Sequence, residues 1–352
     1  MLHIHCSGTP YEIGLKHGRE AKLQISRTIA FYTWMFHSTA QMTWPRVRDL
    51  ALAFQPTLLK KWPAFLEEIS GIAQGAGVDI ADIIAINVRT EIAFGLFSDG
   101  CTALSWKETG SESSSSSSSS SWLAQNWDWN PRQKENVICL TISQAPKPKI
   151  KMLTEAGLIG KIGFNDSGVG VCLNAIRAKG MDPSRLPCHL GLRMVLESTS
   201  RAQAVERLEK YGVASACHML VADAVEGGVG LEWSCMDLIK IPQNATTGQV
   251  FHSNHYLETH RGVEDTNWLS DSEFRVRRIG ELCGRVGEPV TMEKLQGVFQ
   301  DEANFPGSIC RQAEGGSTSA TLFNIVMDLG RKRAEVRVGR PVAPDESFVL
   351  EF

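Results

Sequence analysis

Between Phe97 and Ser105 the apolar residues change their spacing, and that change restricts the chain to a layered mixture of helices and sheets. Upstream, helix signals dominate. Thr9-Pro10-Tyr11-Glu12 reads as a helix start, with Thr9 as the cap, Pro10 at the first helical position and Glu12 completing a capping box. A helix is expected from there to about Phe36. Trp44-Pro45 opens another helical stretch, Trp62-Pro63 a third that runs to the Gly71, Gly75 and Gly77 cluster, and Asp79 caps Ile80 through Ile86. Strand signal in this part is confined to Leu2–His5 and Thr90–Phe94.

Downstream, short apolar runs bounded by turn residues take over. Thr102–Trp106 and Trp122–Trp127 read as two strands of a hairpin. Their connection, residues 107–121, carries consecutive serines from Ser113 to Ser121 and is expected to be a flexible solvent loop, because such a tract is too polar to bury. Further strands are expected at Val137–Ser143, Lys149–Thr154, Gly157–Asn165, Gly168–Ala175, Ala216–Ala222, Gly230–Glu232 and Gln249–Ser253, and a last hairpin at Ala320–Asp328 with Ala334–Gly339. Helices are expected at Leu190–Ser198, Arg201–Tyr211, Asp271–Cys283 and Met292–Gln300. The alternation is not a regular βαβ repeat, so the expected fold is α+β, antiparallel sheets covered by helices.

A chain of 352 residues with 43% hydrophobic content buries a substantial core. Its net charge of -3 and pI near 6.3 give no electrostatic reason to expect nucleic acid or an acidic membrane surface as partner, and a small-molecule site fits better. No stretch approaches the ~18–20 uninterrupted apolar residues of a membrane span, and Met1–His5 lacks the features of a signal peptide, so the protein is expected to stay inside the cell. The nine cysteines show no Cys-x-x-Cys spacing and read mostly as reduced core residues. No His/Cys grouping has metal-site spacing, so no metal is expected, and no tightly bound cofactor is expected either. The run Gly163–Gly170 reads as a turn between strands and not as a phosphate loop, since no helix opens after it.

The chemistry-bearing candidate is Gly100-Cys101. A thiolate is a strong nucleophile, and the preceding glycine carbonyl is unshielded by any Cβ, so this peptide bond is open to attack by its own neighbour. Cleavage there turns Cys101 into a chain terminus whose α-amine, with a reference pKa of roughly 7.7–8.0, sits beside the thiol. The competing reading is a tight turn followed by a buried cysteine. Polar residues at apolar strand ends mark further candidates: Asn126-Trp127-Asp128-Trp129, His252-Ser253-Asn254-His255 and Ser308-Ile309-Cys310-Arg311. His17 reads as a polar helix residue or, alternatively, a ligand or base.

These motifs are recognisable. Gly8–Gly14, Arg89–Glu91, Asp99–Thr102, Gln125–Asp128, Thr154–Gly157, Leu196–Ser200, His252–His255, Ser308–Arg311 and Ala320–Ile325 closely resemble the fungal acyl-coenzyme A:isopenicillin N (6-aminopenicillanic acid) acyltransferases of penicillin biosynthesis. The resemblance covers nearly the whole chain. It implies a single domain with the four-layer αββα N-terminal-nucleophile hydrolase fold, made as a proenzyme that cuts itself into an α chain, residues 1–100, and a β chain, residues 101–352. The two are expected to stay together as a heterodimer.

By the same resemblance, Cys101 is the autocleavage and acyl-transfer nucleophile, and Asn254 is the oxyanion-hole side chain with its amide N–H aimed at the developing charge. Asp128 and Arg311 are the polar pair at the substrate, and Trp129 lies beside the pocket where other members carry Phe. Acyl-CoA is the implied cosubstrate, with isopenicillin N or 6-aminopenicillanic acid as the partner substrate. On the residues alone, Asp128 and Arg311 also read as a structural ion pair, and Asn254 as a turn residue. The end of the chain, Ser347–Phe352, is not the family's peroxisomal tripeptide, so a cytoplasmic paralogue is expected, with a peroxisomal one as the alternative. Two other functions compete: an amidohydrolase on other N-acyl amides that has lost CoA use, and an uncleaved, silent binding protein.

Overall fold

A computed structural model of the protein describes residues 1–93, 100–108, 120–263 and 269–352. After strand β1 (Leu2–Ser7) come helices α1 (Pro10–Glu20), α2 (Lys22–Ala40), α3 (Trp44–Leu52), α4 (Gln55–Lys61), α5 (Pro63–Ala76), α6 (Ile80–Asn87) and α7 (Arg89–Ala93). Then β2 (Gly100–Lys107) and β3 (Ser121–Trp129) lead through a 3-10 turn, Pro131–Asn136, to β4 (Val137–Ser143), β5 (Ile150–Glu155), β6 (Ile162–Asn165) and β7 (Val169–Ala175). Helices α8 (Cys188–Leu196) and α9 (Arg201–Tyr211) precede β8 (Cys217–Asp223), β9 (Gly227–Trp233), β10 (Leu238–Pro242) and β11 (Gln249–His252). Helices α10 (Ser272–Cys283) and α11 (Met292–Phe299) precede β12 (Ala320–Asp328), β13 (Arg333–Val338) and β14 (Glu346–Glu351).

The strands form two sheets, ordered β1-β4-β5-β6-β7-β8-β9-β10 and β11-β2-β3-β12-β13-β14. Among these strands only β1 with β4 is parallel; every other neighbouring pair is antiparallel. The sheets pack face to face, β2 and β3 against β7, β8 and β9, while α8 and α9 cover the first sheet and α10 and α11 the second. This is the expected αββα layering. Between the sheets, Gln125 on β3 reaches across to Leu173 of β7, donating to its carbonyl at 2.5 Å and accepting from its N–H at 3.1 Å. A polar side chain there satisfies two backbone groups that the β6–β7 ladder leaves unpaired.

Local signals for the helical half are largely realised. Thr9 accepts from the Glu12 N–H while Glu12 accepts from the Thr9 N–H, the capping box in full. The helix expected through Phe36 is two, broken at Ala21, because α1 is held against α5. Gly71 and Gly75 lie inside α5 and do not end it: a Cβ on Gly71 would sit 2.2 Å from the Tyr11 carbonyl oxygen, and one on Gly14 would sit 2.0 Å from that of Glu68. Glycines therefore let the two helix backbones touch.

Three expectations fail for tertiary reasons. Thr90–Ala93 is helical, not strand, and Phe94 lies outside the described residues. Buried Arg89 is paired with Glu155 at 2.6 Å, and buried Glu91 accepts from the Cys188 N–H and the Ser215 hydroxyl, both at 2.8 Å. Those distant partners decide what a short apolar run leaves ambiguous. In the Gly157–Asn165 segment only Ile162–Asn165 pairs as a strand, since Gly160 packs against the backbone of His189 in α8. Strands β10 and β14 were not expected; both are sheet edges with largely exposed or half-exposed residues, so their apolar signal is weak. The serine tract lies outside the described residues except for Ser120 and Ser121, although β2 and β3 do pair as the arms of an antiparallel hairpin.

Candidate active site

In the β2–β3 ladder Gly100 stands opposite Asp128 and Cys101 opposite Trp127. Side chains alternate across a strand, so Cys101, Trp127 and Trp129 face the core between the sheets, while Thr102, Asn126 and Asp128 face α10 and α11. Gly100 is packed tightly: a Cβ there would lie 3.0 Å from Asp128 Oδ2 and 3.1 Å from Arg311 Nε. A glycine before the cysteine thus lets the Gly100-Cys101 bond sit directly against the Asp128–Arg311 pair.

On the other side of β2, β11 pairs with it and ends at His252, and the chain then turns to bring Asn254 onto Cys101. Asn254 Oδ1 accepts the Cys101 N–H at 2.9 Å and a guanidinium N–H of Arg275 at 2.9 Å, while Asn254 Nδ2 donates to the Ala175 carbonyl at 3.0 Å. Two donors on one side and a carbonyl on the other set this amide orientation. In the intact chain the Asn254 amide N–H is thus taken by the Ala175 carbonyl, and the Asn254 oxygen holds the nitrogen of the Gly100-Cys101 bond.

Arg275, fully buried in the first turn of α10, is a site residue that sequence reasoning missed. It donates to the Cys101 carbonyl at 2.6 Å, to Thr102 Oγ1 at 3.1 Å, and through Nε to Asp271 Oδ1 at 2.8 Å. Asp271 also pairs with Arg311, so one carboxylate joins both arginines. Burial works against its charge, but the two guanidiniums outweigh it and hold the Asp271 carboxyl below its ordinary range. In sequence, Asp271 and Arg275 look like an ordinary i,i+4 surface pair, which is why they gave no signal.

Asp128 and Arg311 do come together. Arg311 Nε lies 3.7 Å from Asp128 Oδ2, and Thr321 bridges the two, donating to Asp128 Oδ1 at 2.7 Å and accepting the Arg311 backbone N–H at 3.0 Å. A shift in the β12–β3 register between Thr321 and Phe323 accompanies this contact. Burial raises the Asp128 carboxyl to about 6, against the opposing pull of Arg311, Arg275 and the Thr321 hydroxyl. Asp128 Oδ2, the oxygen nearest Gly100, has no hydrogen-bond partner among the described residues. Trp129 is buried, with Phe31 edge-on at 6.2 Å between ring centroids.

The Asn254 segment is itself anchored. Buried Glu232 on β9 accepts from the Leu257 N–H at 2.6 Å and the Glu258 N–H at 3.2 Å, and faces His252 Nε2 at 2.8 Å and His260 Nε2 at 3.4 Å. The Asn254 N–H donates to Ser272 Oγ at 2.7 Å, tying the same segment to α10. His17 is not at the site: it is buried in α1, accepts the Gly157 N–H at 3.1 Å, and burial with nearby Arg193 lowers its pKa to about 3, so it is a neutral core acceptor. Among the described residues no group of His, Cys, Asp and Glu has the arrangement of a metal site.

Comparison with known proteins adds the following. Residues 115–343 match the model of the family described as acyl-coenzyme A:6-aminopenicillanic acid acyl-transferase. Over 357 aligned residues, 100% of this chain and 96% of the relative, the chain is 42% identical to the Emericella nidulans protein named acyl-coenzyme A:6-aminopenicillanic-acid-acyltransferase 40 kDa form. Among solved structures, penicillin V acylase from Agrobacterium tumefaciens is similar at 12% identity and a TM-score of 0.47, covering 72% of this chain and 86% of that one. A mutant conjugated bile acid hydrolase from Clostridium perfringens is similar at 9% identity and a TM-score of 0.49, covering 71% and 92%. Likenesses at that level bear on no residue of this chain.

Proposed function

The chain belongs to the acyl-coenzyme A:6-aminopenicillanic acid acyl-transferase family, and on that basis we propose that it is an autoprocessed cysteine acyltransferase and amidohydrolase acting on the penicillin nucleus. The observation that carries the proposal is the Cys101 N–H held by Asn254 Oδ1 at 2.9 Å, on a peptide bond pressed against Asp128 and Arg311.

In processing, Cys101 Sγ attacks the Gly100 carbonyl carbon, the C–N bond breaks, and the nitrogen takes up a proton as the acyl group moves to sulfur. Water then hydrolyses the thioester, leaving a Gly100 carboxylate, a free thiol and the Cys101 α-amine. Asp128, with Oδ2 packed against Gly100 and its carboxyl raised by burial, is the candidate to exchange that proton. The α-amine inherits the Asn254 contact and lies beside its own thiol, which it can deprotonate.

In turnover, the Cys101 thiolate displaces CoA from an acyl-CoA thioester, a nearly balanced exchange of one sulfur ester for another. The amine of 6-aminopenicillanic acid then attacks the acyl-enzyme, forming the amide and releasing the thiol. Isopenicillin N enters the same cycle when its side-chain amide acylates Cys101, and water in place of the amine gives hydrolysis. Arg311, shared with Asp271 and Asp128 in the intact chain, supplies the cation for the carboxylate of the penicillin nucleus as it exchanges one of those partners, and Trp129 lines the acyl side.

The test is intact mass under denaturing conditions for the wild type and Cys101→Ala, followed by assay with phenylacetyl-CoA and 6-aminopenicillanic acid. The expected result is two wild-type chains, residues 1–100 and 101–352, that co-elute on native sizing, an uncut variant, and penicillin G from the wild type alone. Amide hydrolysis without CoA-dependent transfer would replace this reading with an amidohydrolase; a stable single wild-type chain would remove the α-amine from the mechanism.

A further inference from the structure

A groove of about 730 Å³ runs between α2 and the 3-10 turn Pro131–Asn136, apart from the cluster around Cys101. Its aromatic wall is Trp34, 40% exposed, with Phe31 behind it at 5.9 Å between ring centroids. The Arg132 guanidinium lies 4.3 Å from the Trp34 ring centroid and has no carboxylate partner among the described residues. Arg27 and Lys134 complete the rim; among the described residues each is held by an exposed ion pair, with Glu135 and Asp345 respectively. Exposed pairs of this kind contribute little and exchange readily for a stronger anion. A half-exposed indole with Arg132 stacked on it, and two further cations on the rim, suits a purine ring carrying phosphates, by aromatic and guanidinium stacking and by charge.

A chain of aromatic contacts through buried Phe31 links the groove to the neighbourhood of the nucleophile. Phe31 touches both Trp34 and Trp129, and Trp129 lies on the same face of the second sheet as Cys101. Trp127 stands opposite Cys101, and Pro131 is four residues further on, at most about 14 Å along the chain. That span is comparable with an extended pantetheine arm.

We propose that this groove binds the adenosine 3′,5′-bisphosphate end of an acyl-CoA, with the adenine packed against the Arg132–Trp34 stack and the phosphates on Arg132, Lys134 and Arg27, while the acyl thioester reaches Cys101 past Trp129. This rests on the acyltransferase reading above and gives the acyl donor a second point of attachment remote from the reacting atoms.

The experiment compares phenylacetyl-CoA with phenylacetyl-S-pantetheine, which lacks the nucleotide, in the wild type, Trp34→Ala and Arg132→Glu, with thermal melts as the check on folding. The expected result is a KM for phenylacetyl-CoA raised at least about tenfold in each variant while that for the pantetheine thioester moves less than about twofold. An equal rise for both thioesters, or no rise for either, would overturn the proposal. Calorimetric titration with CoA separates this from failure of the acyltransferase reading. If the wild type transfers from neither thioester but binds CoA, and Arg132→Glu weakens that binding at least about tenfold, the groove stands. If CoA does not bind, or binds both proteins equally, it falls.

Discussion

Asn254 Oδ1 accepts the backbone N–H of Cys101 at 2.9 Å, although the two residues are 153 positions apart. The same oxygen accepts from Arg275, which also holds the Cys101 carbonyl. The backbone N–H and C=O of the cysteine are therefore both held before any reaction, which fixes the nucleophile's residue beside the Gly100 carbonyl it attacks.

Gly100 is predicted to accept a side chain only at the cost of shifting the Asp128–Arg311 pair. In Gly100→Ala the new methyl would meet Asp128 Oδ2 at 3.0 Å and Arg311 Nε at 3.1 Å, so the peptide bond or the pair must shift. Processing followed by intact mass should slow about 10–100-fold, the scale of a small misplacement of reacting groups. Cleavage at the wild-type rate would show that contact with the pair is irrelevant to it.

Asp128 should set a pH dependence of stability opposite to that of a salt-bridged carboxylate. Its carboxyl is raised from 3.8 to about 6 by burial, so its stabilising contribution is full below about pH 4 and is lost as pH rises through about 6. The cost of ionising it in the fold is up to about 3 kcal/mol. Compared in the uncleaved Cys101→Ala background, Asp128→Asn should therefore melt higher than its parent at pH 8 and show less advantage at pH 4. With Cys101 intact, the same substitution should slow processing. Identical melting differences at both pH values would contradict the shift.

Replacing Arg275 by lysine keeps the charge but loses the fork that joins the Cys101 carbonyl, Thr102, Asn254 and Asp271. Processing and turnover are expected to fall about 10²-fold, the scale of a small misplacement of the reacting groups that Arg275 positions. A variant that melts lower yet reacts normally would make Arg275 purely structural.

Glu232 is a positioning residue, acting through His252 and the backbone of Leu257 and Glu258 on the segment that carries Asn254. Burial works against its charge, yet His252 and those two amides hold its pKa below the ordinary value. Its contribution is thus present above the unfolded carboxyl pKa and lost as pH falls through the folded one. Glu232→Gln places an amide donor against backbone donors and should cost about 1–3 kcal/mol in denaturant melts. Turnover should fall while KM for 6-aminopenicillanic acid is unchanged; a rise in KM with constant kcat would instead put Glu232 at the substrate.

Much of this protein was legible as local pattern. The Thr9–Glu12 capping box, helix Arg201–Tyr211 and strand Ala320–Asp328 appear in the structure where their residues place them, because caps and apolar periods act within a few residues. The Gly100-Cys101 pair and the ordered motifs around it marked the chain's family and its candidate nucleophile. Tertiary structure alone decided the rest. Arg89–Ala93 became a helix through partners on β5 and near α8, and Gly71 and Gly75 became a helix contact instead of a helix end. The Asn254 amide took the orientation that satisfied Cys101, Arg275 and Ala175 together, and Asp271 and Arg275 joined the site from a helix start with no motif of its own. The physical reason is one of range: a buried polar group must be satisfied by whatever donor or acceptor the sheet register and helix packing bring beside it, and those partners are scattered along the chain.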